Sequence, residues 1–188
     1  MSRSVADKVN KGISPEQFIE GMTKNKEAFQ GWYDKFEWSD NSDREFFESL
    51  SGRNDLRVLI LMADWCGDVV RNIPVVFRAL EAGNVPTEVL IMEENLDTMD
   101  QFLTMGGRSV PVVIVADAEG NVHGTWGPRP TYIQEPMVNF KKANPDREAA
   151  DYQENLTVTR QEIMRRYGEG TGYQALVVQE LRALIESV

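Results

Sequence analysis

The spacing of the hydrophobic positions changes along the chain, and each spacing predicts a different kind of element. In the first quarter the apolar residues recur every three or four positions, as on one face of a helix. The stretch I-S-P-E-Q-F at 13–18 predicts a helix start, because Ser14 can cap the helix and Gln17 can close a capping box. A second predicted helix carries an aromatic stripe at 29–36, which either packs into the core or lines a groove. S-D-R-E at 42–45 offers a further capping box.

The middle of the chain switches to short β-rich runs. Four strands are predicted, at 56–62, 87–92, 110–115 and 122–126. The first run, L-R-V-L-I-L-M, shows little alternation, as expected for a strand that is covered on both faces. Helices are predicted between the strands, over 67–80 with an interruption at Pro74, and over 95–103. Together these elements predict an α/β fold in which a mixed four-stranded sheet carries helices on both faces.

Beyond the last predicted strand the pattern is again helical. Asn144-Pro145-Asp146 predicts a helix start, and that helix is expected to run to about Tyr167. The stretch G-E-G-T-G at 168–172 is a loop, since it lacks the preceding strand and the Lys-Ser/Thr of a phosphate-binding loop. An amphipathic helix closes the chain.

Composition excludes several classes of function. The net charge of −10 argues against nucleic acid or an anionic membrane as a partner, because both need clustered Lys and Arg. One cysteine cannot form an internal disulfide, and no stretch matches a signal peptide or a membrane span. We therefore expect a cytoplasmic protein. The one histidine, His123, is interpreted as an exposed strand residue, and we predict no metal and no cofactor.

An ordered set of residues in the middle of the chain resembles thioredoxin. A strand leads into D-W-C-G-D at 64–68, Pro74 lies eight positions after Cys66, and S-V-P ends at Pro111. The resemblance implies a cis-proline at Pro111 and a hairpin closed by Gly127. The motif W-C-G-D followed by a small apolar residue resembles the motif of a subgroup of bacterial thioredoxin-like proteins. The helical start of the chain resembles the start of the same proteins.

The resemblance also implies a division of the chain. It predicts a single thioredoxin-like domain over 1–188, with an N-terminal helical extension at 1–51, the thioredoxin core at 52–128, a helical insertion at 129–170 and the C-terminal helix at 171–188.

The chain departs from thioredoxin at the positions that dithiol chemistry uses. Val69 stands where the second, resolving cysteine belongs, and Ile60 stands where thioredoxins bury an acid beneath the site. Ile91 and Met92 occupy the strand that would carry the lysine paired with that acid. These differences put two-cysteine reduction in doubt.

The resemblance makes Cys66 the candidate nucleophile. Substrate is expected to contact Trp65, Gly67 and Asp68 on one side, and Val110 and Pro111 on the other. A helix N-terminus favours an anion, so the thiol pKa is expected to fall from about 8.5 to about 7 or below.

Nearby charges oppose one another at this cysteine. Asp64 and Asp68 work against the thiolate. Arg71 and Arg108 are candidates for offsetting the two carboxylates. The sequence does not rank these effects.

Two functions stay open. The first is a monothiol thioredoxin-like protein that performs thiol–disulfide exchange, or removes small-thiol adducts from proteins, with an external low-molecular-weight thiol as resolver. Oxidant sensing through a sulfenic acid also needs only one thiol. A glutaredoxin-like role with a shared iron–sulfur cluster is less favoured, because glutathione-binding residues are not evident. The alternative is a non-enzymatic protein- or peptide-binding module in which Cys66 is inert.

Overall fold

Four strands form one mixed sheet in the computed structural model, which describes residues 3–188. The strands are β1 (Leu56–Met62), β2 (Thr87–Ile91), β3 (Val112–Asp117) and β4 (Val122–Trp126). Their order in the sheet is β2-β1-β3-β4, with β1 parallel to β2 and antiparallel to β3, and β3 antiparallel to β4. The central strands β1 and β3 are almost entirely buried, which explains their unbroken apolar runs.

Helices cover the sheet on both faces. They are α1 (Pro15–Gly21), α2 (Lys26–Asp34), α3 (Asn41–Ser49), α4 (Gly67–Ala82), α5 (Leu96–Met99), α6 (Thr131–Ala143), α7 (Tyr152–Tyr167) and α8 (Gln174–Glu186), and a short 3-10 turn spans Met92–Glu94. The predicted α/β architecture is confirmed, with helices before the sheet and two further helices ahead of the last one. In the part of the chain from 3 to 188, no helix is both long and apolar enough to span a bilayer.

Local signals in the sequence predicted several elements correctly. The hydrogen bonds of the capping box at Ser14 and Gln17 are both present, and the predicted strands at 56–62 and 122–126 match β1 and β4. Phe29 of the aromatic stripe is fully buried and meets Phe77 of α4 edge-on, with 5.9 Å between ring centroids. Most of the stripe therefore packs as core, while Trp32 of α2 borders a cavity.

Three predicted helix starts or lengths are wrong. Helix α3 is capped by Asp40 rather than Ser42, since the Asp40 carboxylate accepts from the Ser42 amide at 2.7 Å. The segment 95–103 holds only the single turn of α5 and leaves Leu103 exposed. Asn144 ends α6 instead of starting a helix, because its Nδ2 donates to the Phe140 carbonyl at 2.9 Å.

The first residues of the described chain pair with the outer strands of the sheet. Ile13 bridges Val89 of β2 through two backbone hydrogen bonds of 2.8 and 3.0 Å. Ser4 bridges Asn121, just before β4. The N-terminal segment therefore packs against both edges of the sheet before the first helix begins.

Candidate functional site

Cys66 lies in the loop after β1 and is the N-cap residue of α4. Its backbone is extended, and its carbonyl accepts from the Val70 amide at 3.1 Å, which starts the helix. The thiol is partly buried and donates to the carbonyl oxygen of Val110 at 3.3 Å. The start of α4 and the loop that ends at Pro111, directly before β3, therefore enclose the sulfur from two sides. We call this loop the Val110 loop.

The Val110–Pro111 peptide bond is cis, as the resemblance implied. The Gly127–Pro128 bond is also cis, which the sequence did not predict. Gly127 has φ of +118°, and a Cβ atom there would collide with the Pro111 carbonyl oxygen. Only a glycine fits this close approach, so the end of β4 is held against the loop that faces the thiol.

Buried apolar side chains fill the two positions that depart from thioredoxin. Ile60 is fully buried in β1, and Val69 is fully buried in the first turn of α4. The structure thus brings Trp65, Cys66, Gly67 and Asp68 together on one side of the site, with Val110 and Pro111 across from them.

The expected lowering of the Cys66 pKa is wrong. Burial raises the pKa of the thiol, and the nearby Asp68 charge raises it further. Hydrogen bonds from the Val69 and Asp68 amides and the Arg129 charge act the other way without outweighing burial. The helix N-terminus therefore contributes as expected, but the loss of water contact at the sulfur is larger.

Asp68 is bound by residues that follow it by more than sixty positions. Arg129 forms a two-pronged ion pair with it, with Nε–Oδ1 at 2.8 Å and Nη2–Oδ2 at 2.7 Å. The Tyr167 hydroxyl donates to Oδ1 at 2.8 Å, and Asn72 Nδ2 donates to that hydroxyl at 2.7 Å. Burial, reinforced by the Asp68 charge, holds the pKa of Tyr167 above its ordinary value. This polar cluster fastens α7 to the start of α4.

The arginines that the sequence proposed as partners of the thiol have other contacts. The guanidinium of Arg71 lies 4.4 Å from the centre of the Trp32 ring and donates to the Gly168 carbonyl at 3.0 Å. Arg108 forms an ion pair with Asp100 at 2.7 Å. The cation that acts on Cys66 is Arg129, which sequence reasoning missed. The only sequence feature that could have indicated Arg129 is its position directly after the hairpin that Gly127 closes.

Asp64 links the loop between α1 and α2 to the loop that carries Cys66. Its carboxylate accepts from the Thr23 and Lys24 amides at 2.9 and 3.0 Å, and its carbonyl accepts from Asn25 Nδ2 at 2.9 Å. Burial opposes ionisation, yet these amide hydrogen bonds hold the pKa of the Asp64 carboxyl below its ordinary value. The Asp64 carboxylate therefore binds the backbone of the loop between α1 and α2 and is not free beside the thiol.

Two concave regions are lined by the residues that flank Cys66 in the chain, one by Trp65 and the other by Gly67. An apolar groove of about 360 Å³ is lined by Trp65 and, from other elements, by Phe18, Met22 and Ile91. Trp65 is 49% exposed, and its Nε1 donates to Glu93 at 2.6 Å. We call this region the Trp65 groove. A second pocket of about 440 Å³ is lined by residues of α2, α4 and α7 and by Arg129, and we call it the arginine pocket.

Sheet order, the cysteine at a helix start and the cis-proline across from it define a protein of the thioredoxin fold. The family model described as Thioredoxin matches residues 12–152, and the chain belongs to that family. This membership supports a thiol-related function or another use of the thioredoxin fold. No curated protein matches the chain.

Two crystal structures show the same overall fold. One is a protein of unknown function from Pseudomonas aeruginosa, with a TM-score of 0.68 and 19% identity over 98% of both chains. The other is an HIV epitope scaffold, with a TM-score of 0.68 and 18% identity over 99% of both chains. At these identities the likeness is one of fold.

Proposed function

We propose that this protein is a monothiol member of the thioredoxin family that exchanges disulfides through Cys66. The observation that carries the proposal is the place of the sulfur, at the start of α4 and 3.3 Å from the Val110 carbonyl. The W-C-G-D-V motif keeps the attacking thiol, while the fully buried Val69 takes the place of a resolving one. A second molecule must therefore complete each cycle.

The chemistry balances with one external thiol. The Cys66 thiol loses its proton, and the thiolate attacks one sulfur of a substrate disulfide, R–S–S–R′. The bond between Cys66 and R–S forms, the substrate S–S bond breaks, and R′–S⁻ leaves. A low-molecular-weight thiolate then attacks this mixed disulfide, releases R–S as a new disulfide and returns Cys66 to its reduced form.

The two regions beside the thiol fit a protein that carries a small-thiol adduct. The Trp65 groove offers an apolar surface for a substrate side chain, and the Val110 loop, which faces the thiol, would pair with the substrate backbone. With an external thiol as co-reactant, we also propose a cytoplasmic, bacterial setting, where such thiols are abundant.

A second candidate is a binding module in which Cys66 performs no chemistry. The observation in its favour is the raised pKa of the thiol, which keeps Cys66 protonated at neutral pH. In this function the Trp65 groove holds a partner peptide, and the thiol only packs against Val110.

Mass spectrometry separates the two functions. The protein is incubated with bis(2-hydroxyethyl) disulfide between pH 6 and 10, and its intact mass is recorded before and after a small thiol is added. Monothiol exchange predicts one adduct, formed faster as the pH rises, and its removal by the added thiol. Cys66→Ser is the control and must stay unmodified. If no adduct forms even at pH 10, the exchange function is wrong and the binding module is favoured.

A further inference from the structure

The arginine pocket differs in charge from the rest of the protein. Three guanidinium groups line it, from Arg71, Arg129 and Arg160, together with a single carboxylate, Asp68. The whole chain carries a net charge of −10. A local excess of positive charge in so acidic a protein attracts anions to this pocket.

The carboxylate of Asp68, which lines the pocket, is already bound by other side chains. Both oxygens of Asp68 accept from Arg129, and Oδ1 also accepts from Tyr167. Arg160 is exposed and forms no ion pair or side-chain hydrogen bond within 3–188. Nη1 of Arg71 is buried and has no partner in the same residues. Positive charge in the pocket is thus left without a counter-charge from the protein.

The rest of the lining is mostly apolar and includes the first residue of α4, which follows Cys66 directly in the chain. The apolar part of the wall is formed by Trp32, Val70, Ile163 and Met164. Gly67, directly after Cys66, also lines the pocket. A volume of about 440 Å³ is within the range of small-molecule sites. A ligand held there would have an anionic end at the guanidinium groups and a less polar body against the wall.

Resting on the monothiol exchange proposed above, we infer that the arginine pocket binds the carboxylate end of a low-molecular-weight thiol, as the adduct or as the resolver. The Trp65 groove and the arginine pocket share no lining residue, so the protein half and the small-thiol half of a mixed disulfide occupy different surfaces. Specificity for the small thiol comes from α7 in the insertion and α2 in the extension.

Kinetics with two aromatic disulfides test the charge preference. The second-order rate of Cys66 is measured with 5,5′-dithiobis(2-nitrobenzoate), which carries carboxylates, and with the neutral 4,4′-dithiodipyridine. Arg160→Gln lowers the ratio of these rates by roughly two- to five-fold, the range for an exposed charge pair. Arg147→Gln makes the same charge change at an exposed site outside the pocket and leaves the ratio unchanged. An unchanged ratio in Arg160→Gln, or an equal fall in Arg147→Gln, overturns the inference.

Binding without chemistry separates this inference from the proposed function. Cys66→Ser is titrated with S-methylglutathione, an unreactive thioether with two carboxylates, and followed by ¹H–¹⁵N NMR. Shifts that cluster on Gly67, Val70 and the Trp32 indole, and weaken in the Cys66→Ser/Arg160→Gln double variant, support the pocket even if the wild type forms no adduct. Adduct formation in the wild type without such shifts leaves monothiol exchange standing and overturns the pocket.

Discussion

The hydroxyl group of Tyr167 donates a 2.8 Å hydrogen bond to Oδ1 of Asp68, ninety-nine residues earlier in the chain. Asp68 lies two positions after the candidate nucleophile, and Tyr167 is the last residue of α7. Helix α7 is therefore joined directly to the candidate site. Any change at this contact acts on both α7 and the environment of Cys66.

Replacing Tyr167 by Phe removes this contact. We expect a loss of about 1–2 kcal/mol in the free energy of unfolding, because Asp68 loses one donor and Asn72 one acceptor. The raised pKa of Tyr167 adds a pH signature. Its stabilising contribution is complete below the unfolded pKa of about 10 and falls above it, so the gap between wild type and variant narrows at alkaline pH.

Urea denaturation between pH 7 and 11 measures this effect. Tyr132→Phe, at a half-exposed tyrosine, is the control and should change the free energy of unfolding little. A gap that widens above pH 10 would contradict the assignment.

Asp68→Asn should lower the pKa of Cys66. The variant removes a negative charge that raises the thiol pKa and leaves the positive charge of Arg129 in place. The alkylation rate with neutral iodoacetamide at pH 7 should rise, while the free energy of unfolding falls by about 1–3 kcal/mol as Arg129 loses its carboxylate. Asp100→Asn, an equal charge change at an exposed ion pair, should leave the rate unaltered. An unchanged alkylation rate in Asp68→Asn would contradict this prediction and show that burial, without the Asp68 charge, sets the thiol pKa.

Val69→Cys should restore the missing half of the dithiol. A Cys-x-x-Cys spacing across the first turn of a helix suits disulfide formation, and Val69 already lies in the turn that Cys66 caps. Under oxidation we expect a mass loss of about 2 Da for one disulfide, and reduction of insulin that wild type does not perform. Val75→Cys adds a second cysteine elsewhere in the same helix and should form no internal disulfide. Insulin reduction by wild type itself would argue against the need for an external thiol.

Asp64→Ala should release the loop at 22–25 from the loop that carries Cys66. Hydrogen exchange at the Thr23 and Lys24 amides should speed up, and the protein should lose about 1–2 kcal/mol of stability at pH 7. Because the Asp64 pKa is depressed, its contribution is present above the unfolded pKa of about 3.9 and disappears as the pH falls through the folded value. Asp7→Ala, at an exposed carboxylate, should behave like wild type. Equal exchange rates in Asp64→Ala and wild type would remove this link.

Gly127→Ala should displace the loop that faces the thiol. The new Cβ meets the Pro111 carbonyl, and the residue needs a positive φ, so we expect destabilisation by about 1–3 kcal/mol or more. Thermal melting reports the stability, and iodoacetamide reports the exposure of Cys66. Gly170→Ala, where a Cβ meets no neighbouring atom, should melt within a degree or two of wild type. A wild-type melting temperature for Gly127→Ala would mean that the close approach is not rigid.

Much of the fold follows from signals that lie close together in the sequence. The Ser14–Gln17 capping box, the uniform apolar run of β1 and the start of α4 after Cys66 each depend on a few neighbouring residues. The cis-proline at Pro111 was instead implied by the resemblance to thioredoxin, which the cysteine, the helix proline and the later S-V-P carry in fixed order. The local signals need no knowledge of distant contacts.

The electrostatics of the site could not be predicted in the same way. The pKa of Cys66 depends on how far the Val110 loop covers the sulfur, which only the folded chain determines. Arg129 reaches Asp68 from sixty-one positions away, and no local pattern favours it over the nearer Arg71. Asn144-Pro145-Asp146 contains residues that favour a helix start, yet Asn144 ends α6. The next helix, α7, begins only at Tyr152, whose ring packs against Phe140 of α6.

The bridges made by the N-terminal segment have a consequence for how the molecule meets other chains. An open strand edge is a template on which another polypeptide can add or aggregate. Here Ile13 occupies part of the outer side of β2, and Ser4 occupies the approach to β4. The protein thus shields the sheet with its own first residues. A polypeptide that pairs with the Val110 loop would instead lie beside the thiol of Cys66.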